Sequence, residues 1–267
     1  MKKVFIPALL LLSMVGLSAC NADNGLVKGG QAYRDGDAAK VSAEVKEAKE
    51  GKIKKITEKL SSTMVMKETA MGQSATIKSK TSGSVVIDLE AKTLAYNVKT
   101  TASSGSQSYS QVANYTAKQG ADGSFSLVSG QYDTSSDDET VRFVYEELSQ
   151  SVYSWNYTGD SSALGEALAV LGSSEEATAE SLKLYEDLAK KIVISGDAST
   201  GNIEIGISEP IKLTVENMPF EVSKMKYVYK DGLLQNSVNE LKMEMTDEGG
   251  KASISYKSTA SFSYVMK

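Results

Sequence analysis

The sequence predicts an α+β fold, one large antiparallel sheet with helices packed on one face. Three observations lead there. Helical and strand patterns come in blocks, in the order helix, strands, helices, strands, rather than alternating as in a parallel α/β sheet. The strand blocks alternate apolar and polar residues, as in Leu94-Ala95-Tyr96-Asn97-Val98-Lys99, so one sheet face is apolar and the other wet. Asp122-Gly123, Asp231-Gly232 and Gly249-Gly250 fall between such runs as hairpin signals.

The first 19 residues stand apart. Lys2 and Lys3 precede an apolar run from Val4 to Leu17, about 14 residues long, which fits a signal-peptide core and is short for a membrane span. It ends in Leu17-Ser18-Ala19-Cys20. This motif resembles the lipobox of bacterial prolipoproteins, a leucine and two small residues before a cysteine. The resemblance implies cleavage after Ala19, acyl chains on Cys20 and an extracytoplasmic protein held to a membrane by covalent lipid. In a cell with two membranes, Asn21 after the cysteine implies the outer one.

Residues 20–40 are expected to be the lipidated cysteine and a flexible tether. Asn24-Gly25, Gly29-Gly30 and Asp35-Gly36 break it, and it has few apolar residues to bury. A single domain is expected over 41–267, a length suited to one large sheet. Val41 to Leu60 is rich in Glu, Lys and Ala. Val45, Ala48, Ile53, Ile56 and Leu60 follow roughly helical spacing, with Gly51 as a weak point. Strands are expected at Thr63–Glu68, Ala75–Ser79 and Val85–Glu90, separated by Gly72 and Ser82-Gly83, then at Leu94–Lys99, Ser108–Ala117 and Ser124–Ser129.

Ser136-Asp-Asp-Glu139 reads as a capping box before a helix with Val141, Val144, Leu148 and Val152 on one side. A short helix is expected around Leu164–Leu171. A third follows the capping box Ser173–Glu176 and carries Leu182, Tyr185, Leu188 and Ile192. Strands resume with Ile203/Ile205/Ile207, Met225/Tyr227/Tyr229, Leu241/Met243/Met245 and Ile254/Tyr256.

Composition excludes several chemistries. There is no histidine, so histidine triads and histidine metal sites are ruled out. Cys20 is the sole cysteine, and lipidation leaves no thiol for catalysis, a disulfide or a metal. The 29 basic residues include Lys2 and Lys3. Without them 27 face 34 acidic residues, a net of −7, which argues against nucleic acid and against a basic patch on anionic lipid. No glycine-rich phosphate loop is present.

Ser223-x-x-Lys226 lies in strand periodicity, where a spacing of three sends the side chains to opposite faces. Asp133–Glu139 lacks the glycine of a calcium loop. Asn114-Tyr-Thr116 and Asn156-Tyr-Thr158 match a glycosylation sequon, for which a bacterial lipoprotein offers no usual route. No enzyme activity, metal or cofactor is expected.

Tyr96, Met225, Tyr227, Tyr229, Met243 and Met245 share the apolar-face pattern and are the candidate ligand-binding residues. Methionine adapts to irregular apolar partners, so such a face suits either a cavity for a lipid or a filled core. The architecture over Val41 to Tyr264 resembles the LolA/LolB and LppX/LprG group of envelope proteins. That resemblance implies a curved, half-barrel-like sheet with helices on its concave side and an acyl chain or other hydrophobic ligand between them. It rests on the order of elements and transfers no functional residue. Two functions are therefore compatible with the chain, a lipid carrier and a non-enzymatic envelope scaffold.

Lipidation has a direct test. Mass spectrometry of membrane-extracted protein should find a chain beginning at acylated Cys20, and Cys20→Ala should free the protein from membranes. Wild-type protein recovered from membranes with no acyl chain on Cys20 refutes the assignment.

Overall fold

The computed structural model describes residues 27–28, 31–32, 45, 47–70, 73–131, 138–154, 191–197, 200–215, 218–247 and 250–267. Antiparallel strands dominate them. They are β1 (Val27–Lys28), β2 (Gln31–Ala32), β3 (Ile53–Ala70), β4 (Gln73–Asp88), β5 (Thr93–Ser104), β6 (Gln107–Gln119), β7 (Phe125–Gln131), β8 (Ile192–Asp197), β9 (Asn202–Ile207), β10 (Ile211–Val215), β11 (Met218–Lys230), β12 (Leu233–Asp247) and β13 (Gly250–Met266). Helix α1 spans Asp138–Ser151. The hydrogen-bonded order is β2-β1-β8-β9-β11-β12-β13-β3-β4-β5-β6-β7, with β10 beside β11. The large antiparallel sheet expected from the alternating blocks is present, and its strand order is open, running from β2 to β7. No described helix is long and apolar enough to cross a membrane.

The chain divides into two compact units. One comprises residues 1–49, 153–213 and 224–234. In it β8 pairs antiparallel with β9, and β9 with β11, while β1 adds the parallel contact Val27↔Ser195. Ile203, Ile205, Met225, Tyr227 and Tyr229 are buried here. Tyr227 lies directly across from Ile205, so the alternation of β9 and β11 forms this unit's core. Asp231 and Gly232, with φ of 50° and 79°, make the tight turn from β11 to β12.

The other unit comprises residues 50–152, 214–223 and 235–267. It is a meander in which β13 pairs with β12 and β3, followed by β4, β5, β6 and β7 in sequence order. β3 is 18 residues long, a span of ~60 Å. Its hairpins are closed by side chains that satisfy the turns. Asp88 Oδ1 accepts the backbone N–H groups of Glu90 and Ala91 at 3.1 and 2.9 Å, and the Ala91 bond is the main reason the Asp88 carboxyl sits below its usual pKa. Asp122 Oδ1 does the same for Ser124 at 3.1 Å. The buried residues are Ile53, Ile56, Val85, Ile87, Leu94, Val98, Tyr115, Ala117 and Phe125 on the strands and Val141, Tyr145 and Leu148 on α1. Tyr145 meets the Phe125 ring at a centroid distance of 5.1 Å. The helix expected from Val141, Val144 and Leu148 is present, and Val152 is buried just beyond its end.

Two expectations need correction. Of the helix expected over Val41–Leu60, the described residues 45 and 47–49 are helical, whereas Ile53, Ile56 and Leu60 belong to β3. Gly51, at φ 69°, ends the helical stretch. The pairing of β13 with β3 skips from Val265↔Lys55 to Met266↔Ile53, a bulge that leaves Lys54 extra. Ile53 and Ile56 are therefore both buried at a spacing of three, which imitates a helical stripe.

Second, Ala75–Ser79 and Val85–Glu90 are not separate strands, because β4 runs unbroken through Ser82-Gly83. A Cβ at Gly83 would stand 2.1 Å from Asn97 O and 2.6 Å from Val98 Cα, so glycine here permits close strand approach rather than a turn. Within the segment expected to be a tether, the described residues Val27–Lys28 and Gln31–Ala32 form β1 and β2, where a sheet edge offers backbone partners that do not depend on apolar side chains. Among the described residues of this unit the strands outnumber the single helix α1. The helix expected at 164–171 and residues 173–190 of the one after it lie outside the described residues, as do residues 133–137 of the acidic run, whereas Ile192, expected on that helix, opens β8.

The Gly83 geometry predicts a specific weakness. Gly83→Val should destabilise by about 1–3 kcal/mol, because the clash is with backbone that cannot step aside. Gly105, at a hairpin turn with nothing near its Cβ position, provides the control. Equal urea midpoints for Gly83→Val and Gly105→Asn would contradict the close approach.

Candidate functional site

In an antiparallel ladder, residues directly opposite each other point to the same face. The registers of the larger unit therefore define rows across its strands. The first apolar row is Tyr264–Ile56–Ile87–Leu94–Ala117. Ile56, Ile87, Leu94 and Ala117 are all fully buried. The next row on the same face is Phe262–Glu58–Val85–Tyr96–Tyr115. After it come Ala260–Leu60–Gly83–Val98–Ala113, then Ser258–Ser62–Thr81–Thr100–Gln111, then Tyr256–Met64–Ser79–Ala102–Tyr109. Leu241 on β12 extends this last row.

Glu58 is the anomaly. It occupies an apolar position, with Val85 and Phe262 beside it on the neighbouring strands. Burial pushes its carboxyl pKa from 4.5 up to about 7, and no charged neighbour contributes to that shift. Among the described residues no hydrogen bond or ion pair engages it. The residue is half-buried, so the carboxyl stands at a wall that solvent reaches. Tyr96 lies two strands away in the same row and stacks on Tyr115 with ring centroids 5.3 Å apart. The Tyr96 phenol is raised chiefly by burial, with the Glu58 charge adding to it. A carboxyl that burial perturbs, that no protein group engages and that solvent can reach is a candidate functional group.

The row beyond Glu58 is shallow. Gly83, Ala113 and Ala260 are small, and each is half-buried. The hydroxyl row is tied together by Thr81 Oγ1 and Thr100 Oγ1 at 3.0 Å. Beyond it Met64, Met66 and Tyr256 are half-buried, whereas Leu241, Met243 and Ile254 are buried. The inner face thus presents a carboxyl and two phenols, a shallow small-residue row, a hydroxyl row, and a methionine and tyrosine region.

The six residues expected to bind a ligand separate into two groups. Tyr96, Met243 and Met245 belong to the meander, with Tyr96 in the carboxyl row and Met243 and Met245 opposite Ile254 and Ala252. Met225, Tyr227 and Tyr229 follow one another on one face of β11, buried in the core of the smaller unit. Glu58, Val85, Tyr115 and Phe262 were missed. Their signal was present in Ile56-x-Glu58-x-Leu60, where a glutamate interrupts strand alternation, and the helical spacing of Ile53 and Ile56 concealed it.

Ser223 and Lys226 lie on β11, and each is engaged elsewhere. Ser223 Oγ donates to Glu240 O at 3.2 Å, and Lys226 pairs with Glu204 at 2.8 Å. Among the described residues no cluster of acidic, histidine or cysteine side chains could hold a metal.

No protein-family model and no curated protein matches the sequence. Among solved structures, a DUF1329 family protein from Desulfovibrio piger aligns over 86% of this chain and 92% of its own, at 9% identity and a TM-score of 0.11. Similarity at that level carries no argument about fold or function.

The Glu58 environment sets a pH dependence. The folded state holds this proton to about pH 7 and the unfolded chain only to about 4.5. The folded state therefore binds more protons between these values, so stability is full below 4.5, falls as pH rises through 7, and is level above it. Glu58→Gln should remove that slope. It should gain no more than about 3 kcal/mol over wild type at pH 8 and nothing at pH 4. Denaturation midpoints of the two proteins that run parallel from pH 4 to 8 would show that Glu58 is not perturbed.

Proposed function

We propose that this chain is a lipid-anchored, extracytoplasmic envelope protein that binds a hydrophobic ligand on the inner face of the meander. The observation that carries the reading is Glu58, an unpartnered carboxyl at the head of a half-buried row of small and apolar residues. An acyl chain laid across Leu60, Gly83, Ala113 and Ala260 toward Met64 and Tyr256 would remove that apolar surface from water. Glu58, neutral below its raised pKa, would donate to an ester or amide carbonyl at the ligand's head, with the Tyr96 phenol as a second donor. Helices packed on this face would complete the cavity, and the Tyr145–Phe125 contact of α1 fits that arrangement.

The carboxyl is better suited to binding than to catalysis. Acid–base hydrolysis of glycosides uses two carboxyl groups with opposed pKa shifts, and no second charge perturbs Glu58. The proposal accordingly assigns no reaction. Lipid on Cys20 would keep the binding face near a membrane, the source of such ligands.

Solvent extraction of the purified full-length protein, followed by mass spectrometry, tests the reading. Wild type should release a non-covalently bound lipid. Ala113→Phe with Ala260→Phe should fill the shallow row and lower its yield at least fivefold at an unchanged melting temperature. Bound lipid should also decline from pH 6 to pH 8 in wild type but not in Glu58→Gln. Recovery of no lipid from folded wild type would refute the proposal.

A further inference from the structure

The opposite face of the same meander carries a different chemistry. Its rows include Lys257–Thr63–Lys80–Thr101–Ser110, Ser255–Val65–Lys78–Ser103–Ser108 and Thr259–Ser61–Ser82–Lys99–Val112. Lys80 is thus two residues along its strand from Lys78 and diagonal to Lys99, which sets neighbouring ammonium stems about 7–8 Å apart. A groove of about 530 Å³ lies here, lined by residues that include Lys78, Lys80, Lys99 and Thr101, and also by Met64 and Tyr109 from the strand positions between them.

The three lysines are uncompensated. No carboxylate lies within ion-pair distance of any of them among the described residues. Of the acids on this face, Asp88 pairs with Lys55 at 3.6 Å and Glu240 with Lys257 at 2.9 Å, while Glu244 stands opposite Ser253 on β13 and outside the groove. Like charges directly opposite each other destabilise a sheet, and these diagonal and same-strand neighbours repel more weakly but in the same sense. Lysines also guard exposed sheet edges, but β4 and β5 are each paired on both sides and have no edge to guard.

From this juxtaposition we infer that the groove on the outer face of β3–β6 binds a phosphate-bearing ligand through Lys78, Lys80 and Lys99. A lone carboxylate would leave two of the three charges unmatched. A phosphate ester or diphosphate brings several charges and acceptor oxygens together, and lysine serves phosphate as a mobile point charge. The Thr101, Ser108 and Ser110 hydroxyls add donors that a purely electrostatic patch lacks. The acidic balance of the whole chain does not oppose this, because the strand registers sort charge locally. This site is independent of the inner-face reading.

Phosphate could come from a soluble ester or from a lipid headgroup, and two probes distinguish them. The full-length Cys20→Ala chain, which lacks covalent lipid, is titrated with pyrophosphate by calorimetry at low ionic strength. The same chain is sedimented with phosphatidylcholine vesicles with and without one-fifth phosphatidylglycerol. A triple variant, K78Q/K80Q/K99Q, should weaken binding at least tenfold with no fall in melting temperature. A control that removes equal charge outside the groove, K118Q/K224Q/K251Q, should stay within twofold of the parent. A response to pyrophosphate identifies a soluble ligand, and a response to the anionic vesicles alone identifies a headgroup. Binding of neither probe, or equal loss in both variants, overturns the inference.

Discussion

The backbone ladder between β13 and β3 is the constraint on which the rest depends. It joins segments 198 residues apart at Thr259 and Ser61, and β3 is hydrogen-bonded along its length to β13 on one side and β4 on the other. A slip of one residue would send Ile56 and Leu60 to solvent and bring Lys55, Lys59 and Thr57 inward. The fully buried row of Ile56, Ile87, Leu94 and Ala117 opposes such a slip. Each large aliphatic side chain there contributes about 1.5–3 kcal/mol of burial, and all would be lost together. The bulge at Lys54 lies at the extreme end of this ladder, so it disturbs only the last pair.

That fixed register is also why Glu58 lies where it does. Once Ile56 and Leu60 face inward, the residue at 58 must do so too, whatever its chemistry. A core residue at this position would pack against Val85 and Phe262 without penalty. The glutamate instead raises its own pKa and holds a proton, which is less costly than burying a bare charge but still weakens the fold at neutral pH. A local loss of stability at one position of an otherwise consistent apolar row is the pattern left by a functional requirement.

Much of the strand content was legible because its signal is local. Leu94 and Val98 alternate with Asn97 and Lys99, and the first two are buried while the last two are exposed. The Asp122-Gly123 and Asp231-Gly232 turns lie where their residue chemistry places them. Three features were not legible, for physical reasons. The β13–β3 bulge is a property of a pairing made across the whole chain, so Ile53 and Ile56 read as a helical stripe. Gly83 reads as a turn until the closeness of β5 is known. Pairing of Val27 with Ser195 depends on a sheet edge that no local pattern of residues 20–40 announces. Of the candidate site, Tyr96 was legible by periodicity. Its neighbours Glu58, Tyr115 and Phe262 become neighbours only through register.

The same geometry explains how one acidic chain can carry both a greasy face and a basic one. Net charge is a sum over all residues and governs long-range behaviour such as solubility. It says nothing about which charges are adjacent. A period of two divides each strand between faces, and the registers then place Lys99 diagonal to Lys80 across β4 and β5, while Asp88, Glu204 and Glu240 each lie beside a lysine partner of their own. Exposed pairs of that kind contribute little to stability, so their placement has little structural consequence. The clustering of Lys78, Lys80 and Lys99 away from any such partner is different, because repulsion there is not offset within the described chain. Both unusual places on the meander, the lone carboxyl inside and the lone lysines outside, are thus departures from pairing on opposite sides of the same strands.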